Sequence, residues 1–176
     1  MSELRKSNTD HPYFITFTIV GWVDVFTRRD YCDIIIRNLK YCQQQKGMEL
    51  YAYVIMSSHI HIVARHKEGK LNEGIRDFKS VTAKEIIKEI LGSGFESRKD
   101  WILSMFKEYA SKQKQNKEYM FWQKTNHPIE LFSPKVMNQK IDYIHNNPVE
   151  TGYVSAPENY VYSSAYIFPK IEVWAV

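Results

Sequence analysis

Two histidines separated by a single residue are the first feature of this chain that could support chemistry. Residues 59–65, HIHIVAR, are rich in β-branched residues and are predicted to form a strand. In a strand, residues i and i+2 point to the same side, so His59 and His61 would leave one face of the sheet together. Two neutral imidazoles about 7 Å apart at their α-carbons can bind one divalent cation if a third ligand approaches from another element. The alternative is a chance pair of exposed histidines on the polar side of an edge hairpin.

A helix towards the end of the chain carries the second candidate group. Ser133-Pro134 is typical of a helix start, and the helix is predicted to run to about residue 147, before Pro148. Its apolar stripe comprises Met137, Ile141 and Ile144. Tyr143 and Asn147 lie one turn apart on a flank of this stripe, so Asn147 could offer an amide oxygen as a third ligand. The alternative is a half-exposed tyrosine and a capping asparagine.

Together these two features describe a known chemistry. A divalent cation held by histidines polarises a phosphodiester, and a phenolic oxygen attacks the phosphorus in line. Because a free phenol has a pKa near 10, it is a weak nucleophile at neutral pH and needs the polarised phosphorus or a nearby base. The product would be a phosphotyrosine linkage, which a DNA 3′-hydroxyl can attack to rejoin strands without ATP. Such chemistry suits transposition.

Hydrophobic periodicity predicts the elements that must position these residues. The predicted strands are residues 13–20, 50–56, 59–65 and 119–124, and the predicted helices are residues 30–46, 71–91, 101–117 and 134–147. This order resembles the split β-α-β-β-α-β plan. We therefore expect an α+β, ferredoxin-like antiparallel sheet with helices on one face, plus a separate C-terminal helix that carries Tyr143. Residues 1–176 are predicted to form one domain, with a core at about 11–150 and a tail, 151–176, that packs back onto it.

The composition is that of a folded domain with a basic centre. The chain has 176 residues, of which 44% are hydrophobic and 25% charged, and its formal net charge is +4. Residues 65–124 contain 14 Lys/Arg against 9 Asp/Glu, a net +5. This excess suits a phosphate-bearing partner, although a solvated helical surface explains it equally well. Because the apolar runs are shorter than the roughly 20 residues of a membrane span and the first ten residues are polar, we expect a cytoplasmic protein without a membrane partner.

Two stretches, in this order along the chain, resemble the motifs of one family. Residues 53–63, Tyr-Val-Ile-Met-Ser-Ser-His-Ile-His-Ile-Val, resemble the His-hydrophobic-His ("HUH") segment of transposases that move single-stranded insertion sequences. Residues 141–154, Ile-Asp-Tyr-Ile-His-Asn-Asn-Pro-Val-Glu-Thr-Gly-Tyr-Val, resemble the Tyr-Ile-x-x-Asn-Pro-Val signature of the REP-associated tyrosine transposases. Phe121-Trp122-Gln123 resembles the aromatic-Trp-Gln segment of that family. The resemblance covers roughly residues 11–165.

The resemblance implies a DNA transposase that cleaves and rejoins single-stranded DNA, often hairpin-bearing, through a 5′-phosphotyrosine. By resemblance, Tyr143 is the nucleophile, His59 and His61 hold the metal, and Asn147 is the third ligand. The implied ion is Mg²⁺ or Mn²⁺, and two imidazoles with one amide fit a six-coordinate ion better than a structural Zn²⁺ site. In some relatives the tyrosine helix completes the site of a partner subunit, and in others it folds back onto its own. A homodimer is the slightly favoured expectation.

Further DNA contacts are expected among basic and aromatic residues outside the motifs. The candidates are Arg76, Lys79, Lys84, Lys112, Lys114 and Lys117, with Phe121 and Trp122 as stacking platforms. A solvated or core position explains each of them equally well. The chain also departs from the family: Ser57-Ser58 stand where Pro or Asn often precedes the first histidine, and residues 92–118 resemble nothing in it.

Three other functions are weighed against this one. A non-catalytic single-strand nucleic-acid-binding module on the same fold would explain Tyr13, Phe17, Tyr51 and Tyr53, but not the histidine pair together with Tyr143. Replication initiators and relaxases share the His-hydrophobic-His site but are usually larger. Two-histidine phosphoesterases carry paired His-x-Ser/Thr motifs, which this chain lacks.

Overall fold

A four-stranded antiparallel sheet forms the centre of the computed structural model, which describes residues 11–113 and 118–176. The strands are β1 (Tyr13–Thr18), β2 (Met48–Ile55), β3 (His59–His66) and β4 (Ile129–Glu130), in the spatial order β2-β3-β1-β4. The helices are α1 (Arg29–Gln45), α2 (Leu71–Gly92), α3 (Lys99–Ser111) and α4 (Pro134–Glu150). This arrangement confirms the predicted α+β, ferredoxin-like plan, with α3 as an insertion between α2 and β4.

Alternation along the strands gives the sheet two buried faces. One face, including Ile15 of β1 and Ile62 of β3, packs against α1 and α2 in the larger apolar cluster. The opposite face, including Phe14 of β1 and Val63 of β3, packs against Met137 and Ile144 of α4. The helix that carries Tyr143 therefore lies on the opposite face of the sheet from α1 and α2.

The fourth strand is not at residues 119–124, where the sequence predicted it. That segment forms only an isolated bridge between Ile19 and Trp122, and the regular pairing with β1 occurs at β4. Between the two, His127 adopts a positive φ of 42° and Pro128 lacks an N–H, so the chain cannot keep a continuous ladder. The prediction was wrong because it used the aromatic run alone and not these interruptions.

Helix boundaries also differ from those predicted. α3 ends at Ser111, and residues 114–117 of the predicted helix lie outside the described residues. α4 continues through Pro148 to Glu150 instead of ending before the proline. Gly152, with φ 77°, ends it: its N–H bonds the Val149 carbonyl at 2.9 Å, and the next N–H bonds the Pro148 carbonyl at 2.8 Å. This pattern is a Schellman motif, so the glycine and not the proline was the stop signal.

The C-terminal tail packs along the outer edge of β2. Ser163 pairs with Val54, the Ser164 N–H bonds the Tyr53 carbonyl at 2.9 Å, and the Trp174 N–H bonds the Leu50 carbonyl at 2.8 Å. The tail thus occupies backbone groups that an edge strand would otherwise expose. None of the helices in the described part of the chain has both the length and the apolar character that a membrane span requires.

Candidate active site

The two histidines lie on β3, the strand between β2 and β1. His59 pairs with Thr18 and His61 with Thr16, and both imidazoles leave the sheet on the α4 side, with ring centroids 4.8 Å apart. His61 is 6% exposed and His59 is half-buried. The expected shared face is confirmed, and because β3 is an inner strand, the alternative of an exposed pair on an edge hairpin does not hold.

Neighbouring hydroxyls fix how the two rings are oriented. Thr16 Oγ1 lies 2.8 Å from His61 Nδ1, and Ser58 Oγ lies 3.3 Å from His59 Nδ1. When Nδ1 donates its proton to a hydroxyl, the lone pair is on Nε2, which is the form of histidine that binds metals. Both rings have the same partner type at the same nitrogen, which favours a lone pair on the Nε2 of each ring.

Burial keeps both imidazoles neutral. It lowers the pKa of His61 to about 3, with smaller contributions from His59 and from the positive charge of Lys140, and it lowers the pKa of His59 as well. Since a protonated imidazole cannot bind a cation, this environment favours the form of both rings that can act as ligands.

Tyr143 lies over this pair. Its ring centroid is 5.5 Å from that of His61 and 5.9 Å from that of Phe14, which itself stacks on His61 at 5.2 Å. The tyrosine is nevertheless 41% exposed, so a substrate can reach it. The Nζ of Lys140, one turn earlier in α4, lies 4.9 Å above the Phe14 ring and 5.6 Å above the Tyr143 ring. The phenol thus has a neutral imidazole beneath it and a cation beside it.

Asn147 follows Tyr143 by one turn of α4 and is only 7% exposed. Its backbone carbonyl accepts bonds from Thr151, whereas its side chain forms no hydrogen bond with the other described residues. In the described part of the chain, no cluster of three or more His, Cys, Asp or Glu side chains could hold a metal. If the histidine pair holds an ion, a third protein ligand would come from another residue type, and the amide of Asn147 is a candidate because its oxygen suits a divalent cation.

His145 lies on the same helix but belongs to a different contact. Its Nε2 lies 2.9 Å from Ser164 Oγ, and burial lowers its pKa. Ser164 also accepts the Tyr53 N–H at 3.0 Å. His145 therefore ties α4 to the tail and to β2, which helps to hold Tyr143 above its own sheet.

The candidate DNA contacts outside the motifs separate into different environments. Arg76, Lys84 and Lys112 are exposed, although Arg76 pairs with Asp77 and Lys112 with Glu108. Lys79 is largely buried: its Nζ donates to the Gln123 carbonyl and to Asn126 Oδ1, both at 2.7 Å. Burial lowers its pKa to about 8. Lys114 and Lys117 lie outside the described residues.

Phe121 and Trp122 are core residues, which corrects their assignment as stacking platforms. Both are at most 5% exposed, and their rings pack on each other and on Phe26. The Trp122 Nε1–H donates to Thr82 Oγ1 at 3.1 Å. A ring enclosed in this way cannot stack on a base, so this prediction was wrong.

Sequence reasoning did not identify Phe14, Thr16 or Lys140 as parts of the site. Thr16 could have been found from strand alternation, because it lies on the same face as Phe14 and opposite His61 in the β1–β3 pairing. Lys140 precedes Tyr143 by three residues and so lies on the same helix surface. Their contacts depend on how α4 packs across the sheet, which periodicity along one element does not reveal.

Comparisons with known proteins bear on the fold. No protein-family model matches the chain, and no curated protein matches it. A solved structure of a REP-associated tyrosine transposase bound to a REP hairpin matches with a TM-score of 0.64 and 17% identity, over 100% of this chain and 92% of that chain. This chain has the fold of that transposase. The likeness agrees with the family resemblance of the two motifs.

A second solved structure, described as a candidate transposase of Deinococcus radiodurans R1, matches with a TM-score of 0.42 and 17% identity. The match covers 77% of this chain and 88% of that chain.

Proposed function

We propose that this protein is a transposase that cleaves and rejoins single-stranded DNA through a 5′-phosphotyrosine at Tyr143. The observation that carries the proposal is the position of an accessible tyrosine ring 5.5 Å from the buried imidazole of His61, which shares its face of the sheet with His59. The donor set of His59, His61 and Asn147 fits a divalent ion, Mg²⁺ or Mn²⁺. When bound, the ion would supply Lewis-acid polarisation of the scissile phosphate.

The chain's own residues account for the remaining steps. The phenolic oxygen of Tyr143 forms a bond to phosphorus while the bond from phosphorus to the 3′-oxygen breaks, and the departing 3′-oxygen takes up a proton. The phenolic proton leaves to solvent, and the charge of Lys140 beside the ring stabilises the phenolate that develops. Rejoining is the reverse: a 3′-hydroxyl attacks the phosphotyrosine and the phenol is released. No ATP is required, because the number of phosphodiester bonds is conserved.

The same geometry supports a site completed within one subunit. Phe14, His61 and Tyr143 of one chain are in mutual ring contact, and the His145 to Ser164 contact ties α4 to the same chain's tail. The proposal therefore assigns attack in cis and does not require the homodimer that the resemblance slightly favoured.

The binding-module alternative is weakened by the burial of its key residues. Of the four aromatic residues that would have to stack bases, Tyr13, Phe17 and Tyr53 lie in the core formed with α1 and α2. The fourth, Tyr51, is half-buried on the opposite face of the sheet. A sheet face covered in this way offers no platform for single-stranded nucleic acid.

The test is a denaturation-resistant protein–DNA adduct. Purified protein is incubated with labelled single-stranded hairpin DNA from the flanks of its own gene, with Mg²⁺ or Mn²⁺ and with EDTA. We expect an adduct in wild type with the ion, none in EDTA and none with Tyr143→Phe. Tyr153→Phe is the matched control, since Tyr153 is also exposed. Its hydroxyl donates to Ser57 Oγ at 3.0 Å, in the turn that precedes His59. No adduct across all flanking sequences, with tight metal-independent binding, would overturn the proposal in favour of a binding module.

A further inference from the structure

Trp22 is a large aromatic side chain left exposed beside the candidate active site. It is 62% exposed, and its ring meets the ring of His59 edge to face, with centroids 5.8 Å apart and planes at 72°. It lies in the short 3₁₀ turn Val20–Trp22, which follows directly after β1. Neither the motifs nor the mechanism above uses this residue.

The backbone at Trp22 adopts an unfavourable conformation for such a residue. Gly21 has φ 63° and Trp22 has φ 54°, so two consecutive residues are left-handed. For a bulky side chain this conformation is a genuine outlier and persists only where the surroundings impose it. Outliers of this kind concentrate at functional sites, so the exposed indole is a candidate ligand contact.

The inserted segment packs against this turn. A side chain at Gly21 would bring its Cβ within 3.0 Å of Met105 Cε and 3.2 Å of a Tyr109 ring carbon, both on α3. The Val20 N–H also bonds the Phe121 carbonyl at 2.9 Å. α3 therefore packs closely against the turn, and the left-handed backbone at residue 21 favours glycine there.

Two ion pairs fix the rest of this loop to the same segment. Arg98 at the start of α3 reaches Asp24 at 2.7 Å, and Arg28 reaches the buried carboxylate of Glu96 at 2.6 Å. Because Glu96 is buried, breaking its pair with Arg28 would leave an uncompensated charge in the interior and destabilise the fold. Residues 93–111, which resemble nothing in the family, thus act as a support for the loop that carries Trp22.

We infer that Trp22 is a stacking platform for the base next to the scissile phosphate, and that α3 holds it in place. This inference rests on the proposed function, because it takes His59 as a marker of where the phosphate binds. The indole contacts His59 on one side and is 62% exposed, so ring surface remains accessible to a base. Stacking of this kind is tolerant of sequence and contributes substantially to single-strand binding. The platform would orient the strand so that one phosphodiester lies under Tyr143.

Single-strand binding measured without cleavage tests the inference. Fluorescence anisotropy is recorded with a labelled hairpin carrying a single-stranded flank, in the Tyr143→Phe background. From the ordinary strength of base–aromatic stacking, Trp22→Ala should weaken binding roughly 5- to 100-fold, and Trp22→Phe should retain most of the affinity. Trp174→Ala is the matched control, because Trp174 is 54% exposed but distant from the site. Its N–H bonds Leu50 near the start of β2, whereas the histidines of β3 lie opposite the end of β2. It should bind like the parent protein.

An abasic scan identifies the contacted base. Removing the base that stacks on Trp22 should lower the DNA affinity of the Tyr143→Phe protein as much as Trp22→Ala does. The two changes together should lower the affinity no further than either change alone. The inference is wrong if Trp22→Ala binds the DNA normally. It is also wrong if Trp22→Ala lowers the affinity by the same factor whichever base has been removed. Circular dichroism and thermal unfolding verify that the exposed substitution leaves the fold intact.

The two proposals fail in different ways. Adduct formation by wild type together with unaltered binding by Trp22→Ala overturns the stacking platform alone. Absence of any adduct together with abasic-sensitive, Trp22-dependent binding overturns the cleavage chemistry and leaves Trp22 as a base-stacking residue of a single-strand binding protein.

Discussion

Replacing Thr16 with valine should weaken metal binding without disturbing the sheet. Valine has nearly the same shape as threonine but lacks the hydroxyl that lies 2.8 Å from His61 Nδ1. His61 is buried, so in its metal-binding tautomer the Nδ1 proton would be left without an acceptor. An unsatisfied buried donor costs about 1–3 kcal/mol, and loss of an outer hydrogen bond to a metal-binding histidine typically costs about 10- to 100-fold in affinity. We therefore expect Mn²⁺ to bind Thr16→Val about 10- to 100-fold more weakly.

The assay is a Mn²⁺ titration followed by electron paramagnetic resonance, paired with adduct formation as a function of Mn²⁺ concentration. The half-saturating Mn²⁺ concentration should rise for Thr16→Val, while the rate at saturating Mn²⁺ stays close to that of wild type. Thr16→Ser keeps the hydroxyl and should behave like wild type. Equal Mn²⁺ affinity in the valine and serine variants would refute the reasoning that this hydroxyl selects the tautomer of His61.

Three other experiments test separate features of the protein. If the site is complete in one chain, mixing Tyr143→Phe with His61→Ala should restore no adduct, whereas restored activity in the mixture would indicate a shared site. Trp122→Ala should lower the free energy of unfolding in urea by about 3–5 kcal/mol, because a buried ring is lost, whereas a surface platform would leave stability nearly unchanged. Lys79 has a folded-state pKa of about 8, lowered by burial, so between about pH 8 and 10.5 the unfolded chain binds the additional proton and stability rises with pH. The stability difference between wild type and Lys79→Met should therefore shift in favour of wild type by about 1–3 kcal/mol from pH 7 to 10, and an unchanged difference would contradict this burial of charge.

The parts of the site that were predictable from sequence are those fixed by local periodicity. The two-residue repeat of a strand was enough to place His59 and His61 on one face, and helical spacing was enough to place Tyr143 and Asn147 one turn apart. Both patterns depend only on neighbours in sequence. The ring contact between Tyr143 and His61 required the packing of α4 on the sheet, which the resemblance implied and periodicity did not.

The parts that sequence missed depend on contacts between distant segments. Phe121 and Trp122 were proposed as stacking platforms with a core position left open, because the loop after β1 that covers them is about a hundred residues away in the chain. Lys79 was grouped with the candidate DNA contacts, but its ammonium group donates hydrogen bonds to Asn126 and to the Gln123 carbonyl. Trp22 was not identified because its significance lies in a positive φ and in support from α3, and a tryptophan after a glycine carries no such signal by itself.

The chemical identity of the adduct tests the central claim most directly. Wild-type adduct is digested with nuclease and trypsin, and the nucleotide-bearing peptide is sequenced by tandem mass spectrometry. Trypsin releases residues 141–170 as one peptide, which contains Tyr143, Tyr153, Tyr160, Tyr162 and Tyr166 and so allows a choice among five candidates. The account predicts a single nucleotide attached through its 5′-phosphate to Tyr143. A nucleotide on any other residue, or one attached through a 3′-phosphate, would contradict it.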